Sequence, residues 1–553
     1  MIPSDLHIRK ESLNPEQSFI VEAPAGSGKT TILIQRYLKL LGGVSQPEEI
    51  LAMTFTRKAA GEMKRRIIEA LNQAQDVSPP ENEPEKTTWK LAQVALERNK
   101  NFGWRLLENP ARLRVVTIDS FCSFLTKRTP LLSKMGGTTE IQENIQDLYA
   151  NTAKQILSKI ESADYPYAEL VRVLLEHLDN DKKTFIQRIS QLLNLRDQWM
   201  ISFFDKFENI KEHLLDNPYK EKLERLYTEL IEKELNKVYS LFPESSKTPL
   251  VTFSVYAGKN LKTYDQENSI TGLSQLDSFP NPQIEQLEQW KGISNLLLTS
   301  TGEFRKRIDK NLGFPVDNKK IKTEFKIYLE LLTGIKPLQK ALNKIKLLPN
   351  PYFSDYEWKI LRSTLRLLPE LESQLKSLLQ ENKLSDFSEI SLAALKSFGN
   401  DLEPTDLGKY LDDKIQHILV DEYQDTSFKQ EALLKKLTAE WEPDSGRTLF
   451  IVGDPKQSIY RFRDAEVGLF LKTQKEGINN LNLNQLTLES NFRSQQSLVD
   501  WNNRCFQKIL PEEDNPDSGA IAFSKSTAIH AKESYPGVVL HPLDPESNSS
   551  LAS

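Results

Sequence analysis

The sequence predicts an α/β protein built on a parallel sheet and interrupted by a large all-helical insertion. Three observations predict it. First, Phe19, Ile20 and Val21 form a short apolar run before a glycine-rich turn, and Ile32 to Leu41 carry apolar residues at helical spacing after it: strand, loop, helix. Second, long patterns such as Glu143–Leu157, Tyr167–Leu178, Tyr219–Leu241 and Ile360–Leu379 repeat apolar residues at i, i+3, i+4 and i+7. Third, strand-like runs resume at His417–Val420, Thr448–Val452 and Gln485–Leu488, so the sheet is completed after the helical excursion. The proline-rich stretch Ser78–Lys86 reads as an exposed loop rather than regular structure. No internal repeat is visible.

The turn after the first strand carries the most specific chemistry. Ala23, Pro24, Ala25, Gly26, Ser27, Gly28, Lys29 and Thr30 form a phosphate loop in which small residues let backbone N–H groups curl round an anion. The positive end of the following helix lies beneath it. Lys29 is placed to reach the β and γ phosphates of ATP, and the Thr30 hydroxyl to bind Mg²⁺. The strict pattern opens with Gly, and Ala23 is the smallest substitute for it. The alternative, a glycine-rich turn with an incidental lysine, fits the flanking strand and helix less well.

A second cluster, Asp421-Glu422-Tyr423-Gln424-Asp425, follows the apolar run Ile418–Val420. A carboxylate at the end of a buried strand can hold Mg²⁺ through water, and its neighbour can orient and deprotonate an attacking water. Asp421 and Glu422 fit these two roles. By itself such a cluster is a solvated turn; with the phosphate loop it completes an ATP-hydrolysing site. The reading requires both clusters to meet across adjacent strands of one sheet.

Bulk properties narrow the class. A chain of 553 residues exceeds one core, so about three domains are expected. The net charge of −5 provides no uniformly basic surface, and any nucleic-acid contact must come from local patches. Cys122 and Cys505 stand far apart without metal-ligand spacing, which argues against zinc, iron–sulfur and disulfide frameworks. No apolar stretch approaches the ~18 residues of a spanning helix, and residues 1–14 have no signal-peptide core. Cytoplasmic residence without a membrane partner is expected.

Further blocks lie in order along the chain. Leu51–Arg66 is a strand leading into a helix that is expected to expose Phe55 beside Arg57, Lys58, Lys64, Arg65 and Arg66, an aromatic among cations as in single-strand channels. A solvated basic face is the alternative. Val115–Phe121 reads as another strand ending in hydroxyl and aromatic groups. Ile451–Ala465 contains Asp454 at a strand end, then Gln457, then Tyr460, Arg461, Phe462 and Arg463 in alternation. Leu488–Ser494 reads Leu-Glu-Ser-Asn-Phe-Arg-Ser.

This ordered set resembles the UvrD/Rep group of superfamily 1 DNA helicases, and is most similar to its RecB/AddA-type helicase–nuclease subunits. Six blocks match in order between Phe19 and about Trp501. The resemblance implies a RecA-like ATPase core using ATP and Mg²⁺, with catalytic Glu422, Gln457 as γ-phosphate sensor, Phe492 packed on adenine, and Arg493 stabilising the transferred phosphoryl group. It implies DNA contacts by Phe55, Arg57, Tyr460, Phe462 and Arg463. The family's adenine-reading glutamine precedes the phosphate loop by a longer interval than Gln17 does here.

The implied organisation is domain 1A at 1–126 and 405–485, a 1B-like helical insertion at 127–404, and the start of a second RecA-like domain at 486–553. Nothing after Trp501 resembles the later helicase motifs, so the chain looks like the N-terminal portion of a larger enzyme, its second RecA-like domain truncated. The implied activity is 3′–5′ translocation or unwinding in double-strand-break repair and recombination. Expected partners are single-stranded and forked DNA and an AddB- or RecC-like subunit. The insertion's basic residues Arg305, Lys306, Arg307, Lys310, Lys319, Lys320 and Lys322 suit either duplex DNA ahead of the fork or a solvated face. Two other classes stay open: an ATP-switched DNA-binding or docking subunit without motor activity, and an inactive truncated remnant.

Overall fold

The computed structural model describes residues 3–75, 78–129, 140–142, 145–196, 199–200, 217–263, 265–315, 318–399, 405–459, 465–516, 519–531 and 538–539. The chain divides into two compact units. One comprises Met1–Ser158, Lys182–Phe204 and Pro369–Ser553; the other comprises Lys159–Asp181 and Asp205–Leu368.

The first unit is an α/β body around a six-stranded sheet. Its strands are β1 (Phe19–Glu22), β2 (Ile50–Thr54), β3 (Arg114–Thr117), β6 (His417–Val420), β7 (Thr448–Gly453) and β8 (Asn484–Thr487), in the order β3-β2-β6-β7-β1-β8. Between β3 and β6 in the chain, β4 (Glu140–Ile141) and β5 (Leu384–Ser385) form a separate small pair. Every pairing in the main sheet is parallel. A parallel sheet needs cover on both faces, and the strand sequences show it. After the short N-terminal helix α1 (Leu6–Glu11), the helices α2 (Lys29–Leu41), α3 (Arg57–Gln73) and α4 (Glu83–Asn101) share one core with Phe19, Val21, Ile50, Ala52, Leu419, Phe450 and Val452. Their neighbours Ile20, Leu51, Met53, Ile418, Val420, Leu449 and Ile451 enter a second core on the other face with α5 (Ile118–Arg128) and the helices Phe387–Lys396 and Phe428–Leu437. Alternation at period 2 with both partners apolar explains why these strands read as unbroken hydrophobic runs.

Two expected boundaries shift. The loop foreseen at Ser78–Lys86 ends early, because α4 starts at Glu83 and takes Pro84 into its first turn, where a missing N–H costs no helical bond. The strand foreseen at Val115–Phe121 ends at Thr117, whose side chain caps α5 by accepting the Ser120 amide at 3.0 Å, so Phe121 is a buried helical residue. Beyond the sheet, β9 (Ser490–Gln495) pairs in parallel with β10 (Thr527–His530), a strand the sequence patterns did not signal.

One buried cation fixes the segment that enters β1. Arg36 on α2 is fully buried and donates to the carbonyls of Ser12 at 3.1 Å, Asn14, and Gln17 at 2.9 Å. Its guanidinium lies 5.6 Å and 5.3 Å from the rings of Phe19 and Phe450.

The second unit is helical. Asn217–Leu241, Glu244–Leu261, Leu287–Leu297, Lys319–Thr333 and Lys336–Lys346 enclose a core containing Trp290 and the stacked pair Phe314–Phe325, whose centroids are 4.7 Å apart. Within it Arg305 is half-buried and donates through Nε and Nη2 to the Asn295 carbonyl at 3.1 and 2.9 Å, a structural commitment for one of the basic residues. Among the described residues, no helix is long and apolar enough to cross a membrane.

Replacing Arg36 with Ala leaves three main-chain carbonyls without their donor. The expected cost is about 3 kcal/mol, read as a lower urea midpoint; an unchanged midpoint would show that Arg36 does not hold the entry to β1.

Candidate active site

Because the six strands run the same way, their C-terminal ends share one edge of the sheet, where open α/β sheets bind ligands. That edge collects the phosphate loop after β1, Asp421 and Glu422 after β6, and Asp454 and Gln457 after β7. The two clusters are in one sheet as required, but not on adjacent strands. β7 lies between β1 and β6, and it adds Asp454 to the edge.

The loop is shaped by two glycines. Gly26 and Gly28 have φ of +80° and +81°, a region in which a side chain is strained. Ala23 N–H donates to the Gly453 carbonyl at 2.8 Å and Ser27 N–H to the Pro24 carbonyl at 3.0 Å. α2 begins at Lys29 with no side-chain cap and no acid in its first turn, so its first amides and positive end are left for an anion. The buried Ser27 Oγ has no hydrogen-bond partner among the described residues. A triphosphate suits this cradle: it supplies acceptors for bare amides and a hydroxyl, and a Cβ on either glycine would narrow the turn.

Across the edge, Lys29 Nζ pairs with Glu422 Oε2. Glu422 has φ of +55°, rare for a residue with a side chain, and its amide donates to Asp421 Oδ1 at 3.0 Å. This tight turn sends successive carboxylates to one spot. Gln424 ties the edge together: its Nε2 donates to Glu422 Oε2 at 2.7 Å, and its Oε1 accepts the Asp454 amide at 2.9 Å. Asp454 is buried, accepts the Lys456 amide at 3.1 Å, and accepts Nε2 of Gln457. Burial first, and the adjacent Glu422 second, push the Asp421 carboxyl up from the ordinary range, while Lys29 opposes the shift. Buried Asp421 and partly exposed Glu422 beside a single lysine form an arrangement that a divalent cation would relieve, and Thr30 and Asp421 are the residues that could hold Mg²⁺.

The segment expected to carry Phe492 and Arg493 lies directly against the loop. Phe492 N–H donates to the Gly26 carbonyl at 2.8 Å, and Asn491 Nδ2 to the Ala25 carbonyl at 3.1 Å. A Cβ on Gly26 would fall 2.9 Å from both Arg493 Cβ and Asn491 Oδ1. Below the segment, Asp5 accepts Arg9, the Glu489 and Ser490 amides, and the Ser490 hydroxyl. Burial alone would raise the Asp5 carboxyl, but Arg9 and the amide and hydroxyl of Ser490 hold it down at about 2. Asp5, Arg9, Gln424 and Asn491 were not singled out from the sequence. Gln424 sits inside the acidic motif and was legible in principle, whereas the Asp5–Arg9 pair shows only as an i, i+4 spacing that many surface helices share.

The expected DNA residues separate. Phe55 is 8% exposed, so the aromatic expected at the surface is buried, held at the end of β2. Arg57 is exposed at the start of α3. Arg65 and Arg66 pair with Glu62, and Arg65 also with Glu69, which neutralises much of the basic face. Tyr460, Phe462 and Arg463 lie outside the described residues.

A parallel sheet with a phosphate loop on one strand, an acid pair on another and a bridging glutamine defines a P-loop nucleotide-binding protein. The chain belongs to the UvrD/REP helicase N-terminal domain family, whose model matches residues 7–477. It is 25% identical, over 94% of its length, to ATP-dependent helicase/nuclease subunits of the AddA type from Bacillus cereus (strain ATCC 10987 / NRS 248), Bacillus thuringiensis (strain Al Hakam) and Bacillus anthracis. The chain spans 40% of the length of these relatives.

Gly26→Ala is expected to push the 490–493 segment off the loop and weaken nucleotide binding at least about tenfold, whereas Gly61→Ala, an open helical position, should leave binding unchanged and raise stability by roughly 0.5–1 kcal/mol. Equal nucleotide affinity in both variants would separate the segment from the site.

Proposed function

We propose that this chain carries the ATP-binding core of an ATP-dependent DNA helicase or translocase that moves 3′–5′ and acts in double-strand-break repair and recombination. The observation that carries the proposal is the meeting of Lys29 with Glu422 on one sheet edge, with Asp421 buried beside them. Lys29 and the bare amides of α2 bind the triphosphate. Thr30 and Asp421 would hold Mg²⁺, which when bound would neutralise charge on the phosphates. Glu422 orients and deprotonates the attacking water, a role that frees it from Lys29 when phosphate takes the ammonium. Gln457, hydrogen-bonded to Asp454 at the neighbouring strand end, reports the state of the γ-phosphate. Arg493 stabilises charge on the transferred group and Phe492 packs on adenine.

The organisation read from the sequence belongs to the same proposal: domain 1A at 1–126 and 405–485, a 1B-like insertion within 127–404 whose separate helical body is the second unit, and 486–553 as part of a second RecA-like domain, apart from Leu486 and Thr487, which complete β8 of the main sheet. Arg57, Tyr460, Phe462 and Arg463 form the DNA track, with Phe55 supporting it from beneath. Single-stranded and forked DNA, an AddB- or RecC-like partner and a cytoplasmic setting complete the reading. Its support is the family membership together with the helicase/nuclease character of the relatives; an intact Glu422 favours it over a purely switching role, which needs no water-activating base.

Lys29→Ala should abolish Mg·ATP binding, while Glu422→Gln should bind nucleotide yet turn over roughly 10²–10⁴ times more slowly; an unchanged rate in either variant would reject the site. Tyr460→Ala with Phe462→Ala should spare basal ATPase and reduce its stimulation by single-stranded DNA. Equal loss of both activities would show that these aromatics support the fold instead.

A further inference from the structure

The N-terminal helix α1 carries polar chemistry that the functions assigned above leave unused. Asp5 precedes it but makes no capping bond to it. The carboxylate is almost fully buried and instead takes five hydrogen bonds: Oδ1 from Arg9 Nε at 2.7 Å and Ser490 Oγ at 2.8 Å, Oδ2 from Arg9 Nη2 at 2.9 Å, Glu489 N–H at 2.9 Å and Ser490 N–H at 3.0 Å. A desolvated carboxylate with this many donors is held in one rotamer, and it presents Arg9 as a fork in one orientation.

Arg9 in turn touches both parts of the nucleotide site. Nη2 donates to the Ser27 carbonyl of the phosphate loop at 2.7 Å. The guanidinium carbon lies 4.9 Å from the centroid of the Phe492 ring. Nη1 has no protein acceptor among the described residues and lies 3.4 Å from the point where a Cβ on Gly28 would fall. A tie that only fastened the N-terminus would need the bonds to Ser490 and Ser27; it would not need a cation on the face of Phe492.

We propose that Arg9 is a positioning residue for the nucleotide base: held by Asp5, it locks the Phe492 ring to the phosphate loop, so that the adenine platform stands ready when the triphosphate binds. The inference rests on the reading of 23–30 as the triphosphate cradle and of Phe492 as the adenine platform. Its physical content is pre-organisation. The ring's freedom is removed before binding by a cation–π contact, so the base does not have to order it. Arg9 therefore acts on the base half of the ligand and leaves the phosphate half alone.

Binding of Mg·ATP and of magnesium tripolyphosphate, which has the phosphates and no base, separates this role from a structural one. The proteins compared are wild type, Lys29→Ala, Arg9→Ala, Phe492→Ala and the Arg9→Ala/Phe492→Ala pair, each checked by thermal unfolding. Arg9→Ala should weaken ATP about tenfold, roughly 1.4 kcal/mol, and change tripolyphosphate by less than about twofold. Phe492→Ala should do the same, and the double variant should lose no more than either single one, because both act through one ring. If Arg9→Ala does not fold, Arg9→Lys, which keeps the charge and lacks the fork, should give the same split between the ligands. The inference alone falls if wild type binds both ligands and the Arg9 variant weakens both by one factor or neither, or if the two losses add. If wild type binds neither ligand, or Lys29→Ala binds both as wild type does, the ATP-site reading falls and takes this inference with it.

Discussion

The ion pair of Lys29 with Glu422 joins residues 393 positions apart, and the rest of the site depends on the geometry that lets it form. Its own strength is modest. The side chains are 14% and 32% exposed, so water screens the attraction and the net contribution is on the order of 1 kcal/mol. What it reports is more useful than what it stabilises: the strands after which both residues fall end on the same edge. Parallel strands impose that convergence, and the crossover connections that make them parallel also cover both faces of the sheet. A single lysine facing Asp421 and Glu422 leaves the edge with more negative than positive charge close by, a setting made for a divalent cation arriving with phosphate.

The hydrogen-bonded surroundings convert that edge from a collection of side chains into a fixed frame. Gln424 connects the acid turn to β7, Asn491 and Phe492 close over Gly26, and Asp5 with Arg9 anchors that closing segment from the other side. Each of these ties spans distant stretches of chain, so loss of one tie displaces residues that no single motif contains. Function in this frame is therefore sensitive to residues such as Gly26 and Asp5 that carry out no chemistry themselves.

Much of the fold was legible because its local signals agree with its tertiary demands. The runs Phe19–Val21, His417–Val420 and Thr448–Val452 are apolar at every position or nearly so since both faces of the sheet are covered, and the long helices declare a 3.6 period. The phosphate loop and the acid pair were legible because each is contiguous and each residue type answers a chemical need. Reading went astray where burial decides. Phe55 beside a run of cations looked like a surface platform, yet the end of β2 draws it inward. Thr117 turned an expected strand into a helix start by capping it, and Pro84 sits where a helix tolerates it. The separation of β1 from β6 by β7 is a matter of sheet order, which no local pattern encodes. The Asp5–Arg9 anchor was invisible for the same reason: its partners at Ser27, Ser490 and Phe492 are neighbours only after folding.

The central claim is that one site is built from the loop after β1 and the acids after β6. The most direct measurement is a crystal structure of the chain with Mg²⁺ and a non-hydrolysable ATP analogue. The account predicts the γ-phosphate on Lys29, with the ion about 2.1 Å from the Thr30 hydroxyl and linked through water to Asp421, and Glu422 released from the lysine. Triphosphate bound elsewhere, or an ion on Thr30 with Asp421 and Glu422 turned away from it, would contradict the account.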